Sequence, residues 1–66
     1  MPLLQVTLTH GRTPEQIEAL IANMTDTLVN TLSVKKESVR VVIQEVPKTH
    51  WGSAGVSLAK RDGGAQ

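Results

Sequence analysis

The side chains of this 66-residue chain that could do chemistry are few, and they are spread along it: Pro2, Arg12, Arg40 and Trp51. The usual catalytic groups are missing or isolated. There is no cysteine and no tyrosine, His10 and His50 stand far apart with no obvious carboxylate partner nearby, and no glycine-rich phosphate loop follows the opening strand. Position two offers a different chemistry. A proline directly after the initiator methionine permits removal of Met1, which leaves a secondary amine at the chain terminus. In its neutral form such an amine is a base and a nucleophile. Nearby cations or an apolar wall disfavour its charged form and so favour the form that accepts a proton. Arg40 interrupts the β-branched run Val39-Val41-Val42-Ile43. An unpaired charge there is costly, so a carboxylate such as Glu45 or an anionic ligand is expected beside it. Plainer roles stay open: Pro2 as a strand-opening proline at a sheet edge, Arg12 as a solvated loop cation, and Trp51 as an anchor between subunits.

These residues must be positioned by a single small domain. A chain of this length buries too small a fraction of its unfolded surface to be comfortable alone, and disulfides, a structural metal or association are the usual reinforcements. Cysteine is absent, and the two histidines lack companions at metal-ligand spacing. Association remains. Trp51 is the only aromatic side chain, so a small core also lacks the large rings that normally fill it. A formal charge of +1 disfavours binding to phosphate backbones. No apolar stretch reaches the length of a membrane span and no secretory signal opens the chain, so no membrane partner and a cytoplasmic location are expected.

Leu4, Val6 and Leu8 alternate with Gln5, Thr7 and Thr9, which predicts an opening strand with one apolar face. After Gly11, Thr13-Pro14-Glu15-Gln16 supplies a capping threonine, a proline at the first helical position and a glutamine three residues after the cap. Ile17, Leu20, Ile21, Met24, Leu28 and Leu32 then predict an amphipathic helix running to about Leu32. Ser33 to Ser38 reads as a polar connection, and Val39 to Ile43 as a second strand apolar on both faces, ended by Pro47. Strand, helix and strand form an α/β fold of βαβ type, with parallel strands and a right-handed crossover. One helix covers one sheet face, so another subunit is the natural cover for the other. Gly52, Ala54 and Gly55 predict a tight turn, with Val56 and Leu58 in a short C-terminal hairpin, and Lys60 to Gln66 are expected to fray.

Taken together, Met1-Pro2 leading into a strand, Gly11-Arg12 before a capped helix, Ser38-Val39-Arg40-Val41 in the second strand, and His50-Trp51-Gly52 before a small-residue hairpin resemble the 4-oxalocrotonate tautomerase family of the tautomerase superfamily. The match spans nearly the whole chain. The resemblance implies a cofactor-free isomerase that interconverts enol and keto forms of a small carboxylate such as 2-hydroxymuconate. It also implies a homohexamer built as a trimer of dimers, and a place in the catabolism of aromatic compounds. Pro2 would be the general base. Arg40 would bind the oxygen that becomes the ketone and its adjacent carboxylate, Arg12 the far carboxylate, and Trp51 would exclude water in the place many relatives give to phenylalanine. The family site is assembled from more than one subunit. Superfamily hydratases, dehalogenases and decarboxylases use the same proline as an acid, and the dehalogenases need a further acidic residue that Gly52-Ser53-Ala54-Gly55 does not offer. A non-enzymatic oligomeric interaction module is the other alternative.

Overall fold

A computed structural model describes residues 1–62. The alternating segment forms strand β1 (Leu3–Thr9), which pairs in parallel with β2 (Arg40–Val46) in a continuous register from Leu3 opposite Arg40 to Thr9 opposite Val46. β2 starts one residue later than the pattern predicts. The Val39 N–H is taken by the Lys36 carbonyl, at 3.2 Å, closing a 3-10 turn over Lys36–Ser38. It also runs three residues further, because β1 offers partners as far as Thr9, and Pro47 then ends the ladder for want of an N–H.

Between the strands lies helix α1 (Pro14–Leu32), within its predicted limits. Its start is fixed reciprocally: Thr13 Oγ1 accepts from the Gln16 N–H at 3.1 Å, and Gln16 Oε1 accepts from the Thr13 N–H at 3.0 Å. Its end is fixed by Ser33, which adopts the left-handed conformation with φ 55° and donates its N–H to the Val29 carbonyl at 2.9 Å. The helix packs on β2, and Leu4, Val6, Leu8, Val41 and Ile43 are half-buried along one sheet face. The opposite face is open.

Beyond Pro47 the chain makes a 3-10 turn (Lys48–His50) and a hairpin of β3 (Gly52–Ser53) and β4 (Val56–Ser57). Ala54 and Gly55 turn it with φ 55° and 82°, positive at both central residues as a type I′ turn requires. Leu58, expected in the hairpin, instead opens a short helix α2 (Leu58–Arg61), capped by Ser57 Oγ on the Lys60 N–H at 3.2 Å. Lys60 and Arg61, expected to fray, therefore lie in a helical turn. Residues 63–66 of the expected tail lie outside the described residues.

Among the described residues only Val39 is buried, with 9% of its surface exposed, whereas Leu3 and Val42 on the open sheet face are 57% and 47% exposed and Leu32 is 51% exposed. The protomer presents 4912 Å² to solvent, against roughly 4,100 Å² for a compact monomer of this mass. Its radius of gyration is 15.1 Å, against about 11 Å for a compact chain of this length. A protomer this flat has almost no interior of its own. Sedimentation is therefore expected to find one associated species, with unfolding midpoints that rise with protein concentration. A stably folded monomer at micromolar concentration would contradict this.

Candidate active site

Pro2 and Arg40 lie side by side at the end of the sheet where both parallel strands begin. The Arg40 N–H donates to the Pro2 carbonyl at 3.0 Å, one step before the Leu3–Arg40 pair, so the ladder itself fixes the proline. Met1 projects beyond it, 85% exposed. Arg40 sits on the open sheet face with Leu3 and Val42, and its Nη1 donates to the carbonyls of Glu37 at 2.7 Å and Val39 at 3.2 Å. This corrects the reading of Arg40 as a charge buried in a hydrophobic run. Glu45 is five residues along β2, on the alternate face, and makes no ion pair with it. With Nη1 turned back onto the chain, Nε and Nη2 are the donors that can face a ligand, enough for a two-point hold on a carboxylate.

The other two candidates lie at the opposite end. The His10 N–H donates to the Val46 carbonyl at 3.0 Å, carrying the ladder one step past β1, and Gly11 then turns the chain with φ 132°, a value that side-chain-bearing residues rarely adopt. Arg12 follows, exposed, with Nη1 on the Thr9 carbonyl at 3.2 Å. Trp51 leaves the Lys48–His50 turn half-buried and lines a groove of about 280 Å³ with Thr7, Val46, His50 and Gly52. Thr7 and His50 were not singled out from the sequence as part of any site. The only available signal was that His50 directly precedes Trp51. Six strand steps of about 3.3 Å separate the two ends, or roughly 20 Å. Within one chain, then, the fold brings Pro2 to Arg40 and leaves Arg12 and Trp51 remote from both. Arg12 and Lys48 are the cations at the latter end, beside His10 and His50, and Lys48 is paired with Asp62 at 3.2 Å. Asp62, the acid nearest the hairpin in sequence, is thus already engaged.

The described residues thus offer an apolar groove at Trp51 at one end of the sheet and Pro2 beside Arg40 at the other. The Tautomerase enzyme family profile matches residues 2–61. This chain belongs to the tautomerase family. It is an isomerase, and its α/β fold with parallel β1 and β2 and a C-terminal hairpin is that of its solved relatives. A probable tautomerase of Ralstonia nicotianae is 61% identical over 56 residues, covering 85% of this chain and 80% of the relative. A 2-hydroxymuconate tautomerase of a Pseudomonas species is 42% identical over 60 residues, covering 91% and 95%. Among solved structures, a heterohexameric 4-oxalocrotonate tautomerase from Chloroflexus aurantiacus superposes with a TM-score of 0.86 at 38% identity, covering 91% of this tautomerase and 97% of that chain.

Proposed function

We propose that this tautomerase, once Met1 is removed, moves a proton between the enol and keto forms of a small carboxylate such as 2-hydroxymuconate, with the Pro2 nitrogen as general base. The observation that carries this reading is the placement of Pro2: first in the ladder, held by the Arg40 N–H, with Met1 standing clear where a peptidase can reach it. The neutral prolyl nitrogen takes the hydroxyl proton of the dienol and returns a proton to a distant carbon, giving the conjugated ketone. Arg40 holds the oxygen that becomes the ketone, together with the adjacent carboxylate, and balances charge as it develops. Arg12 holds the far carboxylate, and Trp51 keeps water from the prolyl nitrogen.

Because the two ends of one chain lie roughly 20 Å apart, a complete site needs the Pro2–Arg40 end of one subunit against the Arg12–Trp51 end of another. The open sheet face supports such pairing: antiparallel apposition by a two-fold axis sets unlike ends together and covers Leu3 and Val42. The heterohexameric relative supports a hexamer, which we take to be built from identical copies of this chain, and the 2-hydroxymuconate relative supports the dicarboxylate. Among the described residues no helix is long and apolar enough to cross a membrane. We place the enzyme in the cytoplasm, acting in the breakdown of aromatic compounds.

The test is intact mass of the protein followed by enol–keto assays with 2-hydroxymuconate and phenylenolpyruvate. Met1-free protein is expected to turn over both. The dicarboxylate is expected to be preferred by about tenfold or more in kcat/KM, since only it engages Arg12 through a charged hydrogen bond. Met1-free protein inert toward both would overturn the reading.

A further inference from the structure

We infer that the four-residue helix α2 is a bracket that sets the position of Trp51, and that Arg61 and Asp62 are positioning residues for substrate binding. The inference rests on the reading of Trp51 as a wall of the site. Three bonds converge on the short segment that carries the tryptophan. The Leu58 N–H, at the first position of α2, donates to the Trp51 carbonyl at 2.8 Å. Arg61 Nη1 donates to Ser53 Oγ at 2.8 Å, two residues after the ring. Lys48 Nζ pairs with Asp62 Oδ2 at 3.2 Å, three residues before it. The Trp51 N–H lies 3.4 Å from the Lys48 carbonyl, so the turn that Lys48 opens ends on the tryptophan itself.

The placement is economical. Trp51 and Gly52 line the groove, and the hairpin that follows is only two residues per strand. A hairpin of that length is marginal alone. α2 packs on the Lys48–His50 turn and on β4, so it touches both flanks of the Trp51 segment. Each side-chain link is exposed and weak singly, since surface ion pairs contribute little to global stability. Their loss should therefore leave folding intact and be felt at the ring they orient.

Trp51 is the only Trp, Tyr or Phe of the chain, so protein fluorescence reports it alone. In Arg61→Ala and in Asp62→Lys we expect a red-shifted emission maximum and lower anisotropy. We expect KM to rise about three- to fivefold with kcat changed by less than about twofold. Arg61→Lys, which keeps a donor for Ser53, should recover most of the KM. Adding Lys48→Asp to Asp62→Lys should restore both emission and KM by re-forming the pair in reverse. Unmoved emission in both single variants overturns the bracket, as does a reversed pair that restores nothing. Moved emission with unchanged KM overturns the role in substrate binding. The emission measurements need no substrate, so an unmodified enzyme that turns over no enol acid defeats the functional reading while the bracket is still judged by the fluorescence.

Discussion

Protein that retains Met1 is expected to be inactive toward enol acids while folding and assembling like the processed enzyme. With Met1 attached, the Pro2 nitrogen is an amide whose lone pair is delocalised into the carbonyl, and it cannot accept a proton near neutral pH. The fold does not depend on the cleavage. Pro2 is held through its carbonyl by the Arg40 N–H, and that bond is indifferent to what is joined to the nitrogen. Intact mass, circular dichroism and an enol–keto assay on processed and unprocessed samples check this together. Full turnover in protein shown to carry Met1 would refute the role of Pro2. In processed protein, activity should rise with pH as the terminal ammonium gives up its proton, because only the neutral amine is a base. Pro2→Ala keeps a terminal amine but makes it primary and more mobile, so kcat is expected to fall by about a hundredfold or more without vanishing.

Arg40→Ala is expected to lower kcat by about a hundred- to a thousandfold, whereas Arg12→Ala raises KM by about ten- to a hundredfold and leaves kcat within a few-fold. The difference follows from where charge changes. Arg40 faces the oxygen that gains and loses charge during proton transfer, while Arg12 holds a carboxylate whose charge is constant. Alanine at position 40 keeps the backbone N–H that bonds Pro2, and the carbonyls of Glu37 and Val39 that lose the guanidinium can turn to water. The loss thus reads as catalysis rather than misfolding. Steady-state kinetics with 2-hydroxymuconate distinguish the two variants. Equal effects on kcat with KM unmoved would contradict both roles.

The periodic parts of the chain were legible in the sequence because local physics decides them. The alternation from Leu4 to Leu8 and the Thr13–Gln16 capping box each point to one conformation, and β1 and α1 follow. The end of β2 was legible in Pro47, whereas residues 44 to 46 lie outside the β-branched run and join the strand because β1 supplies partners as far as Thr9. α2 escaped for a related reason: four residues carry too little periodicity to read, and its support comes from Ser57, Ser53 and Lys48, all earlier in the chain. Arg40 was read as buried because its neighbours are β-branched. The sheet has only one covered face, and Arg40 lies on the other. Ile21 and Leu32 belong to the apolar stripe expected to face inward, yet both are exposed in the protomer. Each of these errors treats a subunit surface as an interior. The candidate residues were legible as types; within the chain only Pro2 and Arg40 lie together, a pairing set by the parallel register rather than by any local signal.

That separation also fixes how defects would be inherited. If each pocket draws its base from one chain and its anion-binding rim from another, an allele damaged at Pro2 and an allele damaged at Arg12 are not defective in the same half. Mixed assemblies contain some pockets in which the intact halves of the two products meet. Two alleles that are each impaired alone then complement one another in part. Two lesions at the same end, such as Pro2 with Arg40, have no such remedy.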